Sequence, residues 1–443
     1  MGIVMEIGMT RMKVWSVFVV LTAIGSSCWA QSNADLARKN TALQNRVENL
    51  EKQVENLSAR VGQENEPLGT TSGKTPLWSS LDIQFYGYIK ADAAYDDSRT
   101  TSGNFVLWAD NEAQRDDDDE FNMTANETRL GFLINGPKDG NMETSGRVEF
   151  DFFGNYAEEN KAKIQMRHAY MQFLWPQEQF SILAGQTWDV ISPLNPSTLN
   201  YTVLWGVGNI GYRRPQIRLT KDWDLSEETS LRLQGAVART IGDDEGTTEA
   251  GEDAGFPSFQ GRAALTFPWL AQGPTTFGVS GHWGQEEYDE MPSGHGEADS
   301  WSLNLDLLQP LCEKMTLKAE LFTGENLNAY FGGIIQGVRP IKNGAGTTIG
   351  YDNEIATKGG WVALALGPWD KWSFNTGIGI DDVDAGDVNV GQRTLNRSIF
   401  GNAIYALNKH ADVGLELSHW RTDYRGDGDA DDFRVQAAFK YKF

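Results

Sequence analysis

From residue 81 onward the chain alternates between apolar and polar positions. In LDIQFYGYIKADAAYD (81–96), Leu81, Ile83, Phe85, Gly87, Ile89, Ala91 and Ala93 share one parity, and Asp82, Gln84, Tyr86, Tyr88, Lys90 and Asp92 the other. Successive side chains of a strand point to opposite faces, so this is a strand with one oily and one charged face. The same period returns at 230–240, 260–267, 276–284 and 316–322, and in FRVQAAFKYKF (433–443), making about 16 such segments. A soluble sandwich and an outer-membrane barrel both use amphipathic strands, and the connections separate them. Short connections such as NGPKDGN (135–141), PQEQ (176–179), QPLCEK (309–314) and GPWDK (367–371) alternate with long ones centred near 110, 158, 200, 250, 292, 340, 388 and 427. Short turns on one side and long loops on the other are the barrel arrangement. Trp78, Trp175, Trp223, Trp269, Trp369 and Trp372 lie beside the short turns, where an aromatic girdle belongs. The predicted fold is an all-β transmembrane barrel of about 16 antiparallel strands over 80–443.

The pattern differs before residue 80. Arg11 and Lys13, the apolar run Val14–Ile24, and the small residues Cys28 and Ala30 ahead of Gln31 make 1–30 a secretory signal peptide. Residues 31–61 carry a seven-residue repeat, with Leu36, Leu43, Leu50 and Leu57 at one seam position and Val47, Val54 and Val61 at the other. That is an N-terminal α-helical coiled coil. Val at a with Leu at d leans toward two strands, whereas Arg46 followed by Glu51 resembles a trimer-favouring pair. Residues 62–79 lack periodicity and read as a linker.

Charge adds a second layer. The formal net charge is −23 and the isoelectric point near 4.6, which excludes a nucleic-acid partner. The acid sits in long connections: Asp116–Glu120, 243–253, 286–299 and 427–432. Such runs are solvated loop faces or, as the rival reading, surface Ca2+ sites with Asp116, Asp117, Asp118 and Asp119 as candidate ligands; no other metal or cofactor is expected. The basic residues fall on the polar faces of strands. Lys90, Arg129, Arg147, Arg167, Arg214, Gln216, Arg218, Arg232 and Arg262 are the expected pore lining, with Arg167 on an ambiguous face. Either they tile the wall in ion pairs, or they select anions, for which the guanidinium fork suits carboxylates. Arg213 has lipid parity and is expected at the outer rim, meeting a lipid phosphate or a neighbouring subunit, or turned by a bulge at Pro215. In general porins the third outer loop narrows the pore. Here that loop is 187–212, and Trp188, Asn195, Asn200, Tyr201 and Trp205 are its expected constriction residues.

An enzyme is disfavoured. Ser418 and His419 are adjacent and so point to opposite faces, and no GxSxG nucleophile motif occurs. YGYIKADAAYD (86–96), AGQTWDVISPLNP (184–196) and RRPQIRLT (213–220) resemble segments of the DcaP-like outer-membrane porins. The terminal Phe443 resembles the assembly signal of bacterial barrels. The family resemblance implies a homotrimer in the outer membrane of a Gram-negative-type bacterium, in contact with lipid and lipopolysaccharide, with the coiled coil in the periplasm near peptidoglycan. It also implies uptake of small anionic solutes, dicarboxylates in particular. A cation-preferring or non-selective general porin and a structural tether are the alternatives.

Overall fold

The structure, a computed structural model, describes residues 82–112, 118–154, 161–241, 254–270, 273–291, 294–346 and 348–443. The signal peptide, the coiled coil (Leu36, Leu43, Arg46, Val47, Leu50, Glu51, Val54, Leu57, Val61) and the linker lie outside the described residues, as do Asp116, Asp117 and the acidic stretch 243–253.

The strands are β1 (Asp82–Asp96), β2 (Glu120–Thr124), β3 (Arg129–Asn135), β4 (Glu143–Asp151), β5 (Gln165–Trp175), β6 (Phe180–Trp188), β7 (Arg213–Asp224), β8 (Ser230–Ala238), β9 (Ser258–Leu270), β10 (Gly273–Met291), β11 (Gly294–Cys312), β12 (Met315–Glu325), β13 (Val338–Lys342), β14 (Thr348–Glu354), β15 (Ala356–Trp369), β16 (Trp372–Val383), β17 (Arg393–Ala406), β18 (Ala411–Tyr424) and β19 (Gly428–Lys442). All but the β13–β14 hairpin form one sheet of seventeen strands. Both β2 and β3 lie along β1, interrupted at 125–128, so they count as one and the barrel has sixteen strands, as the alternation predicted. Antiparallel pairing of β1 with β19, from Tyr88 opposite Lys442 to Asp96 opposite Arg434, closes it.

Burial is inverted relative to a soluble protein. On β1, Lys90, Asp92 and Asp96 are buried while Ile89 is 55% exposed. The exposed residues of the other strands, among them Ile217, Leu219, Leu303, Leu321, Ile378, Ile399 and Leu417, form the apolar belt that meets lipid. Trp223, Trp269, Trp369 and Trp372 are exposed beside the short turns.

Two of the predicted long connections are in fact strand. Between β10 and β11 only 292–293 intervene, and between β18 and β19 only 425–427. Strands of nineteen residues exceed the 9–11 a barrel needs to cross lipid, so the outer half of the β10–β11 hairpin stands beyond the belt. There Glu286, buried and accepting from Asn326 at 2.9 Å, and the partly exposed Glu287 put acid on both parities, and the apolar–polar alternation fades. This extension is supported by the β13–β14 hairpin, through packing of Tyr288 and Ala298 on Val338 and Tyr351.

Gly87 lies at the closure. Its N–H and C=O exchange hydrogen bonds with Phe443 at 3.1 Å each, and a Cβ here would collide with the Arg129 carbonyl on the other neighbour strand. Gly87→Val should cost about 1–3 kcal/mol by overpacking. The midpoint at which the folded band is lost on heating in SDS should fall, whereas Ala91→Val on the open outer face should leave it unchanged. Equal midpoints for both variants would refute the assignment of strain to the seam.

Candidate functional site: an inward-folded loop against a basic wall

Residues 189–212 run through the barrel interior and attach to walls on several sides. Glu320 of β12 accepts the Leu194 N–H at 2.7 Å; Glu416 of β18 accepts those of Leu199 at 2.6 Å and Asn200 at 3.1 Å. Two strands round the wall from Glu416, Lys90 Nζ of β1 donates to the Leu199 carbonyl at 2.8 Å. The loop's apolar residues Ile191, Leu204, Val207 and Ile210 are buried against inward-pointing Phe322, Trp361, Phe400 and Trp420 of the wall and against neighbouring inward segments.

The tip docks by close backbone approach. Gly208 has φ +99°, and a Cβ there would overlap the Gly360 carbonyl; a Cβ on Gly379 would overlap the Val207 carbonyl. Glycine supplies this approach because it has no Cβ and tolerates positive φ. Two further segments fold inward beside the loop. In 97–112, Val106 N–H donates to Asn200 Oδ1, and the Leu107 carbonyl accepts Asn396 at 2.7 Å. In 326–337, the Ile334 N–H donates to Asp381 at 3.1 Å, and the Tyr330 and Phe331 carbonyls accept Gly211 and Gly206.

The expected constriction residues divide by role. Asn200 bridges to 97–112 through both ends of its amide. The Asn195 carbonyl accepts Lys318 at 3.2 Å, and its side chain accepts Asn209 at 3.1 Å. Tyr201 donates to Asp151 or Gln165, at 3.2 and 3.1 Å. Trp188 and Trp205 join an aromatic cluster with Tyr212 and Phe331.

The expected pore-lining residues fall into three groups. Lys90, Arg167, Arg214 and Gln216 are buried behind the loop. Lys90 pairs with Glu127 and, at 3.2 Å, with Asp92; Arg167 pairs with Glu149 at 2.8 Å and Asp151 at 2.7 Å; Arg214 pairs with Asp189 at 2.7 Å and stacks 3.8 Å over Tyr330. Gln216 bonds the Trp188 carbonyl at 3.0 Å. Arg232 and Arg262 are matched one to one by two-point bonds with Asp222 and Asp306. Arg129, Arg147 and Arg218 are partly open. The first two share Glu149 at 3.7 and 2.5 Å; Arg218 donates to Gln216 at 3.0 Å and to the Trp188 carbonyl. Tyr88 and Tyr86 lie under the guanidinium groups of Arg129 and Arg147, and Lys440, also over Tyr88, extends the row.

Arg213 departs from expectation. The β6–β7 register is regular through Trp188 opposite Arg213, so no bulge turns it. It is buried within its own chain, against Trp188, Trp205 and Tyr212, rather than at a lipid-facing rim. Residues 201–212 double back over the extracellular end of β7, and strand parity alone cannot foresee that cover. Of the candidate Ca2+ ligands that are described, Asp118 is exposed and Asp119 accepts Tyr95 at 3.2 Å. Among the described residues no three metal-ligating side chains come together.

A closed sixteen-strand barrel with a charged interior and an inward loop is an outer-membrane porin. The DcaP outer membrane protein model matches residues 24–258, over half of the chain, and the chain belongs to that family. The fold is similar to the crystal structure of the outer membrane channel DcaP of Acinetobacter baumannii (20% identity, TM-score 0.64, covering 84% of this chain and 100% of that one). It also resembles an anion-selective porin from Comamonas acidovorans (13% identity, TM-score 0.50, 82% and 100%) and OprB of Pseudomonas putida (7%, 0.51, 83% and 95%). No curated protein matches. The family and fold are those of outer membrane channels, not of enzymes.

Sequence reasoning missed Gly379, Glu320 and Glu416 as loop anchors. The small residues in WSFNTGIGID (372–381) were a signal, since a strand interior that gives up side chains invites close backbone approach. Gly379→Val should push the Val207–Gly208 tip off the wall and raise single-channel conductance in planar bilayers. Gly401→Ala, where a Cβ meets nothing nearer than 4.0 Å, should not. Unchanged conductance in a folded Gly379→Val channel would rule out the anchor.

Proposed function

We propose that this porin passes small hydrophilic solutes by diffusion and favours small anions such as dicarboxylates, drawn by lumen arginines. One observation carries the reading. On the loop-covered part of the wall β3–β7 and the start of the adjoining loop, six cations (Arg129, Arg147, Arg167, Arg213, Arg214, Arg218) stand with three carboxylates (Glu149, Asp151, Asp189), while Glu143, Lys221, Asp222 and Asp224 of the same strands lie beside the short turns, away from the loop. Across the lumen, Glu320 and Glu416 are bonded to loop amides and are buried. A solute threading past the loop therefore meets donors on one side and little exposed acid on the other. The reading includes a homotrimer, supported by the Arg46–Glu51 seam pattern, and contact with outer-membrane lipid and lipopolysaccharide around the belt. It includes no cofactor.

Arg218 is the partly open arginine to test, because it donates to neutral acceptors and not to a carboxylate. A unit charge about 8 Å from a permeating ion contributes about 0.5 kcal/mol at the dielectric of water. Chloride loses that attraction and potassium loses an equal repulsion, so Arg218→Ala should lower the chloride-to-potassium permeability ratio roughly fivefold, read from reversal potentials across a KCl gradient. A wild-type reversal potential of cationic sign would establish the cation-preferring alternative. Absence of current would favour the tether.

A further inference from the structure

Arg213 is 1% exposed, yet none of its Nε, Nη1 and Nη2 atoms has a hydrogen-bond acceptor. Its surroundings are rings: Tyr212 at 4.7 Å, Trp188 at 4.9 Å and Trp205 at 5.9 Å from the guanidinium carbon. Trp205 Nε1 is likewise buried without an acceptor. Among the described residues no other arginine has its whole guanidinium so placed. Arg167 and Arg434 are held by carboxylates, and Arg214 by Asp189 and the Ala329 carbonyl.

Burying a guanidinium with no acceptor costs several kcal/mol. Ring contacts return only about 0.5–2 kcal/mol. The fork and the indole N–H are all donors, so the missing partner is an acceptor. The nearest polar groups do not supply it: the Tyr201 hydroxyl is engaged with Asp151 and Gln165, and the Tyr212 hydroxyl accepts Gln165 at 2.6 Å. A fork of parallel N–H groups fits the two oxygens of a carboxylate or phosphate. Arg213 begins β7 at its extracellular end, five residues and roughly 17 Å above Arg218 at about 3.4 Å per residue. An anion entering from outside passes this level before that of Arg218, and the rings of the covering segment 201–212, Trp205 and Tyr212, must part to admit it.

We propose that Arg213 and the Trp205 indole N–H form an oxyanion subsite that takes one carboxylate or phosphate group of an incoming solute, between the rings of Trp188 and Tyr212. The proposal rests on the porin reading and names where the solute first binds. Oxyanion binding satisfies the buried donors and replaces the solute's lost water.

The test is tryptophan fluorescence of the full chain refolded in neutral detergent without lipopolysaccharide, titrated separately with succinate and inorganic phosphate. A saturable change is expected, because two of the rings lie against the bound group. Arg213→Gln should weaken the midpoint at least tenfold. Trp205→Phe should weaken it roughly fivefold, the equivalent of one hydrogen bond of about 1 kcal/mol. Arg213→Lys keeps the charge without the fork and should fall between wild type and Arg213→Gln. Folding of each variant is checked by heat-modifiable migration. A wild type without a saturable response overturns the proposal whatever the variants do, as does an Arg213→Lys midpoint equal to wild type. A response only after lipopolysaccharide is added overturns the solute assignment in favour of a lipid phosphate. Bilayer current separates this from the porin reading, since a conducting channel without the fluorescence response loses the subsite alone.

Discussion

Hydrocarbon offers no hydrogen-bonding partner to a peptide group, so a sheet can cross it only without a free edge. Here the constraint is met by the pairing of β1 with β19, which brings residue 443 back to Gly87. Once the ladder is closed, one face of each strand must be apolar to meet lipid, and the other is left with every charge. The low mean hydropathy of −0.44 follows directly, since a spanning strand spends only half its side chains on the membrane.

Closure creates a second problem: a sixteen-strand ring leaves a wide interior. The chain fills part of it with three inward segments whose backbone groups must also be satisfied. Wall carboxylates and amides perform that task. Glu320 and Glu416 take loop N–H groups, Asp381 takes that of Ile334, and Asn396 donates to carbonyls of both 97–112 and the loop. Acid on that side is structural, which leaves the cations that β3–β7 gather beside the loop as the polar surface with spare capacity.

The barrel was legible in the sequence because its driving pattern is local. Period two in 81–96 and 433–443 states the faces directly, and the short turns state the topology. The loop 187–212 was legible by its Pro, Trp and apolar content, which suits an enclosed path. What was not legible depends on contacts between distant segments. The β10–β11 extension loses its alternation because its inner face, with Glu286 and Tyr288, is covered by distant segments while its outer face has left the belt. The segments 97–112 and 326–337 carry no periodicity, and only their partners Asn396, Asp381 and Thr422 show where they go. Arg213 followed the parity rule along the strand and failed it in space, because the rule knows the sheet and not the loop that covers it.

The acidic outer segments and the basic interior act over different ranges. Exposed carboxylates are screened within about 8 Å at physiological salt, so they hold little influence over an ion already inside the barrel. Arg421 shows how such charge settles at the surface, where it is met by Asp423, Asp429 and Asp431 together. Interior cations face a solute that has shed part of its water, between low-dielectric walls where the same charge counts for more. On the proposed reading selectivity is decided at the loop and the β3–β7 wall, and the net charge of −23 says little about it.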